Sequence, residues 1–401
     1  MLPPRLGRDF RYLLSASVVN NTGDGIVLAA GPLLVASQTR DPFIVSLALL
    51  FDYLPILIFS VVAGVVADRF DRRRIVVFAN IGRAVVLAFL VMTIASGTVN
   101  ILVVLAAIFL LGTAETFADS ASGTLLPTMV RREDLGIGNA RMQGAFILMN
   151  QLVAPPIGAF LFAAGMALPF AANAAAFLLG AVLISRISSS IGALARDVSA
   201  QRTGFWDELK DGVHWLATHP AMRTLALTIL AFNVTYGAAW GVLVLYAAER
   251  LHMDAVGFGL LTTATAIGGI IGITSYGALE RRFTLANIMR VGLLIETGTH
   301  LALALTTSAP IALLVMVVFG AHAFVWGTTA TVIRQRAVPN ALMGRVGGVY
   351  RVAVFGGLVV GVPLGGALAT AFGITAPFWF GFAGSAVLVL LLWQQFAHID
   401  H

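Results

Sequence analysis

Apolar residues run through this chain in long stretches, parted by short groups of charge, glycine and proline. Twelve such stretches can be traced, six of them near 12–38, 42–67, 75–95, 100–126, 141–165 and 167–187. The other six lie near 221–248, 255–279, 284–306, 309–334, 343–371 and 374–396. An α-helix needs about 20 apolar residues to cross the hydrocarbon of a bilayer, so each stretch predicts one transmembrane helix. The predicted fold is therefore an all-α integral membrane protein with twelve spans. If both ends are cytoplasmic, all of the 25 Lys+Arg except Arg40 and Arg250 fall on inner loops or inner helix ends. That is the distribution that sets membrane orientation.

The two sets of six repeat one another. Ala154-Pro155-Pro156-Ile157-Gly158-Ala159 opens a run reaching Pro169-Phe170, and Gly361-Val362-Pro363-Leu364-Gly365-Gly366 opens one reaching Pro377-Phe378. Upstream, 130–136 parallels 338–344 at nearly the same distance from those prolines. The predicted organisation is a six-helix half over 1–187, a cytoplasmic linker over 188–220 and a second six-helix half over 221–401. Within the linker, Trp206, Leu209, Val213 and Leu216 follow helical spacing opposite Asp207, Lys210, Asp211 and His214. An amphipathic helix on the membrane surface or the cytoplasmic face is expected there.

Composition removes other classes. With 59% hydrophobic and 11% charged residues and a mean hydropathy of +0.92, the chain departs from soluble proteins, where about 25% charge is usual. The net charge of +6 is carried by scattered residues, so inner-loop bias explains it and nucleic acid is not an expected partner. Without cysteine, disulfides, thiolate metal sites and thiol catalysis are excluded. The lone Lys210 follows Leu209 rather than glycine, so no phosphate-binding loop of a primary pump is present. No G-x-S-x-G or paired haem ligands point to an enzyme, and no cofactor or metal is expected. The basic segment before the first apolar run carries no small-residue cleavage site, so that run is expected to stay as an uncleaved helix.

The densest polar stretch is the turn Gly64-Val65-Val66-Ala67-Asp68-Arg69-Phe70-Asp71-Arg72-Arg73-Arg74. Charge at this density cannot sit in hydrocarbon, so it is an aqueous hairpin between the second and third spans. It resembles the G-x-x-x-D-R-x-G-R-R loop of the major facilitator superfamily, with Gly64, Asp68, Arg69, Arg72 and Arg73 on matching positions and Asp71 at the second glycine. Glu280-Arg281-Arg282 looks like a faded second copy. The Gly/Pro runs of the fifth and eleventh spans resemble that superfamily's exporter motif. Glu115-Thr116-Phe117-Ala118-Asp119 running to Leu126-Pro127, Gly212-Val213-His214-Trp215-Leu216 with His219-Pro220, and Gly344-Arg345-Val346 look like its macrolide-efflux and enterobactin-exporter branch. The resemblance implies a proton-driven exporter of drug-like or siderophore-like compounds in a bacterial cytoplasmic membrane. It is expected to work as a monomer, with no nucleic acid partner, by alternating access. The fourth span lacks the arginine common in proton-coupled drug exporters. The alternative is a facilitator or importer of a small organic solute with the same fold and no proton coupling.

Charge inside a span costs at least about 2.5–3.5 kcal/mol, so each buried ionisable residue asks for a reason. Asp24, Glu115 and His322 all lie about 16–18 Å from an inner helix end at 1.5 Å per residue. The superfamily's architecture would place the first, fourth, seventh and tenth spans around one cavity, and these three groups with it. Asp119 follows Glu115 by one turn, and carboxylates at that spacing resist joint ionisation. Asn233, Tyr236 and Trp240 in the seventh span and Trp326 in the tenth are the expected polar and aromatic lining. Asp52 also lies at membrane depth. Glu296 and His300 form an i, i+4 pair in the peripheral ninth span, expected to satisfy each other. At the inner face Asp68 is expected to latch onto the start of the eleventh span near Arg345, with Arg72 and Arg73 paired to acids.

Overall fold

The computed structural model describes residues 6–123, 125–188, 205–339 and 342–396. Eleven helices among them are long and apolar enough to cross a membrane, and Ala376–Leu392 supplies a shorter apolar twelfth. The first six spans are Gly7–Gln38, Pro42–Ala67, Arg72–Ala95, Ile101–Met129, Leu135–Ala164 and Leu168–Ser185. The next five are Pro220–Glu249, Ala255–Arg282, Leu285–Leu305, Ala309–Ala337 and Arg345–Phe372. The first helix starts five residues earlier than its apolar run predicts, and the fifth six residues earlier. Charge and glycine can continue a helix once its middle is anchored in lipid.

Helix starts are set by local capping. Asp71 is extended (φ −63°, ψ 111°) and accepts a hydrogen bond from the Arg73 amide, so it caps the third helix. This gives the residue at the signature's glycine position a task of its own. Asn100 caps the fourth helix and Thr284 the ninth in the same way. In the fifth span the backbone opens into a π-helical stretch over Phe146–Val153, directly before Ala154-Pro155-Pro156. Two successive prolines lack the amides that would bond the preceding turn, and their rings crowd its carbonyls, so that turn widens.

The chain forms two compact units. One comprises Met1–Thr39, Phe51–Ala200 and Ala255–Thr263, the other Arg40–Leu50, Gln201–Asp254 and Ala264–His401. In the first unit, a Cβ at Gly158 would drive into the Ile26 carbonyl, so the fifth helix rides on the first. In the second, Cβ atoms at Gly361 and Gly365 would meet the carbonyls of Val234 and Ala238, so the eleventh helix rides on the seventh in the same manner. The motif repeat is thus a repeat of close helix packing through small residues. It extends to the exchanged segments. Gly259 meets Ala159 within the first unit, and Gly366 meets Phe43 and Ser46 within the second.

The linker helix Phe205–Thr218 is docked rather than adrift on the membrane surface. Gly212 abuts the Arg345 carbonyl, Arg345 Nη1 is 3.0 Å from Asp211 Oδ2, and Leu216 is buried in the second unit's core with Trp215 against it. The side chains of Trp206, Asp207 and Leu209 lie outside the described residues.

Candidate functional site

Burial in the third helix is inside out by the standards of a soluble protein. Phe78, Val85, Phe89 and Met92 are exposed, while Val76, Asn80, Arg83, Ala84 and Leu87 are buried. Lipid is the better solvent for the apolar face, and the polar residues turn toward neighbouring helices. Arg83 is the consequence. Its side chain is 5% exposed, its Nη2 lies 2.8 Å from Glu115 Oε2 of the fourth helix, and its Nη1 lies 4.0 Å from Asp24 Oδ2 of the first. The guanidinium sits 4.5 Å from the ring centre of Phe177 in the sixth helix, a cation–π contact that helps to replace lost hydration.

The first helix is held in register by reciprocal contacts with the sixth. A Cβ at Gly23 would collide with the Asn173 side chain, and one at Gly180 with that of Asn20. Gly25 lies against Asn150 and Ala154 of the fifth helix. Small residues on both sides of Asp24 therefore bring its carboxylate toward Arg83. The Asp24 and Glu115 side chains stay 26% and 44% exposed. Both acids are partly exposed, and the arginine hardly at all. Asp119 is exposed and, like Asp52, interacts electrostatically with Arg83.

Asp24 and Glu115 thus converge in the first unit on a residue that sequence reasoning passes over, with Asp119 one turn from Glu115. By position alone Arg83 falls among the inner-end charges. It lies eleven residues past the helix start at Arg72, about 16 Å in at 1.5 Å per residue, the same depth as Glu115. That depth, and its place on the Asn80 stripe, are the signals that could have found it.

The remaining cavity candidates lie in the second unit. Asn233 is buried and donates to the Val354 carbonyl at 2.9 Å, which ties the seventh helix to the eleventh. Tyr236 and Trp240 are partly exposed members of an aromatic stack. The ring of Tyr236 lies 6.2 Å from Phe232, 5.8 Å from Phe319 and 4.4 Å from Trp240, and Phe232 stacks on Trp326 at 5.9 Å. His322 is buried, with Nε2 3.5 Å from Glu296 Oε2. It therefore joins the pair that the sequence suggested was complete between Glu296 and His300.

At the inner hairpin, Arg73 Nη1 donates to the Ile187 carbonyl at 2.6 Å, at the end of the sixth helix. A cation at a helix C-terminus is favourable, and this carbonyl stands where an acid was expected. Arg72 Nε donates to the Ala67 carbonyl at 3.3 Å, and Arg69 is exposed. Nothing within 4 Å of Gly64 requires a glycine there. The Asp68 side chain lies outside the described residues, and Arg345 is engaged with Asp211.

Comparison with known proteins adds an independent line. The family model described as transmembrane secretion effector matches residues 2–399. The chain is 26% identical over 375 residues to the multidrug efflux pump Tap of Mycolicibacterium fortuitum, covering 91% of this chain and 90% of that one. It is 26% identical over 407 residues to the enterobactin exporter EntS of Escherichia coli, covering 97% and 92%. Among solved structures, the nucleoside transporter NupG (D323A mutant) superposes with a TM-score of 0.78 at 12% identity, covering 97% of this chain and 100% of that one. A bacterial homologue of the iron transporter ferroportin in its inward-facing state gives 0.75 at 17%, covering 98% of each chain. At those identities the likeness is one of fold.

Proposed function

From the premise that this chain belongs to the transmembrane secretion effector family and is a transporter of the major facilitator type, we propose that it exports a bulky amphipathic compound in exchange for protons. The observation that carries the reading is Arg83, buried between two carboxylates that stay partly exposed. With both acids ionised, the trio Asp24, Glu115 and Arg83 holds a net charge of −1. Arginine does not release its proton, so the acids do the exchanging.

A proton arriving at Glu115 removes the negative charge behind the 2.8 Å contact, and Arg83 then turns to Asp24, 4.0 Å away. The trio becomes neutral and its attraction for a cationic cargo is lost, which releases the cargo. Loss of that proton toward the cytoplasm restores the charge and the affinity. Differential affinity between two states is what drives such a cycle. The efflux pump and the siderophore exporter among the relatives support the direction of transport. We place the protein in a bacterial cytoplasmic membrane with both termini cytoplasmic.

The test uses proteoliposomes, ethidium as a bulky amphipathic cation, and an imposed pH gradient. Uphill ethidium movement should depend on the gradient and disappear in Glu115→Gln or Asp24→Asn, while downhill exchange persists in part. Ethidium flux that ignores the gradient in the wild type would instead mark a facilitator and sink the antiport reading.

A further inference from the structure

Glu296, His300 and His322 meet inside the second unit, away from the acids and the arginine used above. Glu296 and His300 are fully buried and His322 nearly so. Glu296 Oε1 is 3.0 Å from His300 Nε2, and Oε2 is 3.5 Å from His322 Nε2. His300 Nδ1, on the far side of its ring from Glu296, makes no hydrogen bond. The walls are aromatic. Trp240 meets the His300 ring at 6.2 Å, and Phe319 and Trp326 meet the His322 ring at 6.3 and 5.9 Å. Two glycines make room for the imidazoles. A Cβ at Gly381 would stand 2.6 Å from His300 Nδ1, and one at Gly292 would stand 3.1 Å from His322 Nδ1.

Among the described residues, no other charge is near enough to balance the carboxylate. The twelfth helix, Ala376–Leu392, carries no Asp, Glu, Lys, Arg or His. Along the seventh span the titratable groups are Arg223, in its first turn, Tyr236, stacked between Phe232 and Phe319, Tyr246, which donates to the Leu303 carbonyl at 2.6 Å, and Glu249 at its last residue. On the tenth, besides His322, they are Arg334 and Arg336 in the last turn. Arg290 of the ninth helix itself is half-buried and donates to the Trp393 carbonyl at 2.9 Å. The eighth helix, packed on the tenth, adds Tyr276 and an inner end of Glu280, Arg281 and Arg282, with Glu280 paired to Arg336 at 2.8 Å. A carboxylate buried without a countercharge is strongly disfavoured, and the countercharge that fits here without moving a helix is a proton on an imidazole.

The internal repeat points the same way. Glu296 lies eleven residues past the start of the ninth helix at Leu285, as Arg83 lies eleven past the start of the third at Arg72. His322 is thirteen residues past Ala309 in the tenth, and Glu115 fourteen past Ile101 in the fourth. Both halves therefore carry an ion pair at nearly the same place of the repeat, with the signs exchanged. In the first half the cation is an arginine, which stays charged. In the second it is histidine, which changes charge between about pH 5 and pH 8.

We propose that Glu296, His300 and His322 form a second proton-binding site, confined to the C-terminal half and separate from Asp24 and Glu115. The three groups bind one proton as a unit. With both Nε2 atoms protonated and the carboxylate ionised, the site is at −1. A further proton on Nδ1 of one imidazole makes it neutral.

The site carries its own reporters, because imidazolium quenches a touching indole more than imidazole does. Tryptophan emission of the purified protein in detergent is followed from about pH 8 to about pH 5, the window in which imidazole titrates. A Trp215→Phe background is used because Trp215 stacks on His219 at 4.8 Å and would add its own signal. The expected result is an emission drop on acidification that survives in Asp24→Asn/Glu115→Gln and is lost in His300→Gln/His322→Gln. Should that double histidine variant fail to fold, Trp240→Phe/Trp326→Phe removes the reporters and leaves the proton site, and the drop must vanish there too. Emission independent of pH, a drop that persists in the double histidine or the double tryptophan variant, or a drop lost in Asp24→Asn/Glu115→Gln overturns the proposal. The transport reading could fail in proteoliposomes without changing this outcome.

Discussion

Arg83 is a permanent cation with two acids of unequal distance, and that inequality predicts how substitutions combine. In Glu115→Gln the guanidinium still has Asp24 within reach, so the stability loss should be modest. In Asp24→Asn/Glu115→Gln it is left buried without either acid. Removing the partners of a buried charge costs about 3–5 kcal/mol; the figure here should fall below that range, since both carboxylates are partly exposed. The double variant should therefore lose more than the two single losses together, by about 1–2 kcal/mol of coupling. Adding Arg83→Gln to the double variant should recover part of the loss. Unfolding midpoints of the single, double and triple variants in detergent measure this, and simple additivity would show that Arg83 does not link the two acids.

At the scale of elements, glycine divides into positions where a backbone passes and positions where nothing does. Gly158 and Gly365 carry neighbouring helices at their Cα atoms, whereas Cβ atoms at Gly347 and Gly348 of the eleventh helix would meet nothing within 4 Å. Gly158→Ala and Gly365→Ala should each destabilise by about 1–3 kcal/mol, the usual penalty of overpacking. Gly347→Ala and Gly348→Ala should be neutral or stabilise by up to about 1 kcal/mol through helix propensity. Thermal unfolding of the four single variants checks the contrast. Equal effects at all four positions would mean that the repeat does not act through close packing.

For the whole molecule, the twelve-helix order with cytoplasmic termini predicts which turns face which side. The chain has no cysteine, so single cysteines report without background. Ser96→Cys, in the turn after the third helix, should react with a membrane-impermeant maleimide added to intact cells. Phe283→Cys, exposed between the eighth and ninth helices, should react only after the membrane is opened. Labelling in the reverse sense at either position contradicts the proposed orientation.

The elements follow from the order of residues alone, because the requirement that backbone polar groups bond internally in lipid leaves a long apolar run only one structure. Twelve apolar runs, the charged hairpin between the second and third spans and the glycine-proline repeat are all legible in that way. So is the depth of Asp24, Glu115 and His322, since rise per residue converts position into distance. Partners are not legible. Asp24 and Glu115 come together through Arg83 because Gly23, Gly25, Gly158 and Gly180 let the first helix approach the fifth and sixth, and such approach is a property of pairs of helices. Likewise, the side of the ninth helix on which Glu296 points is settled by the aromatic stack of the seventh and tenth. That His322 belongs with Glu296 and His300 is a matter of packing, because a helical register states which residues share a face and not what that face meets.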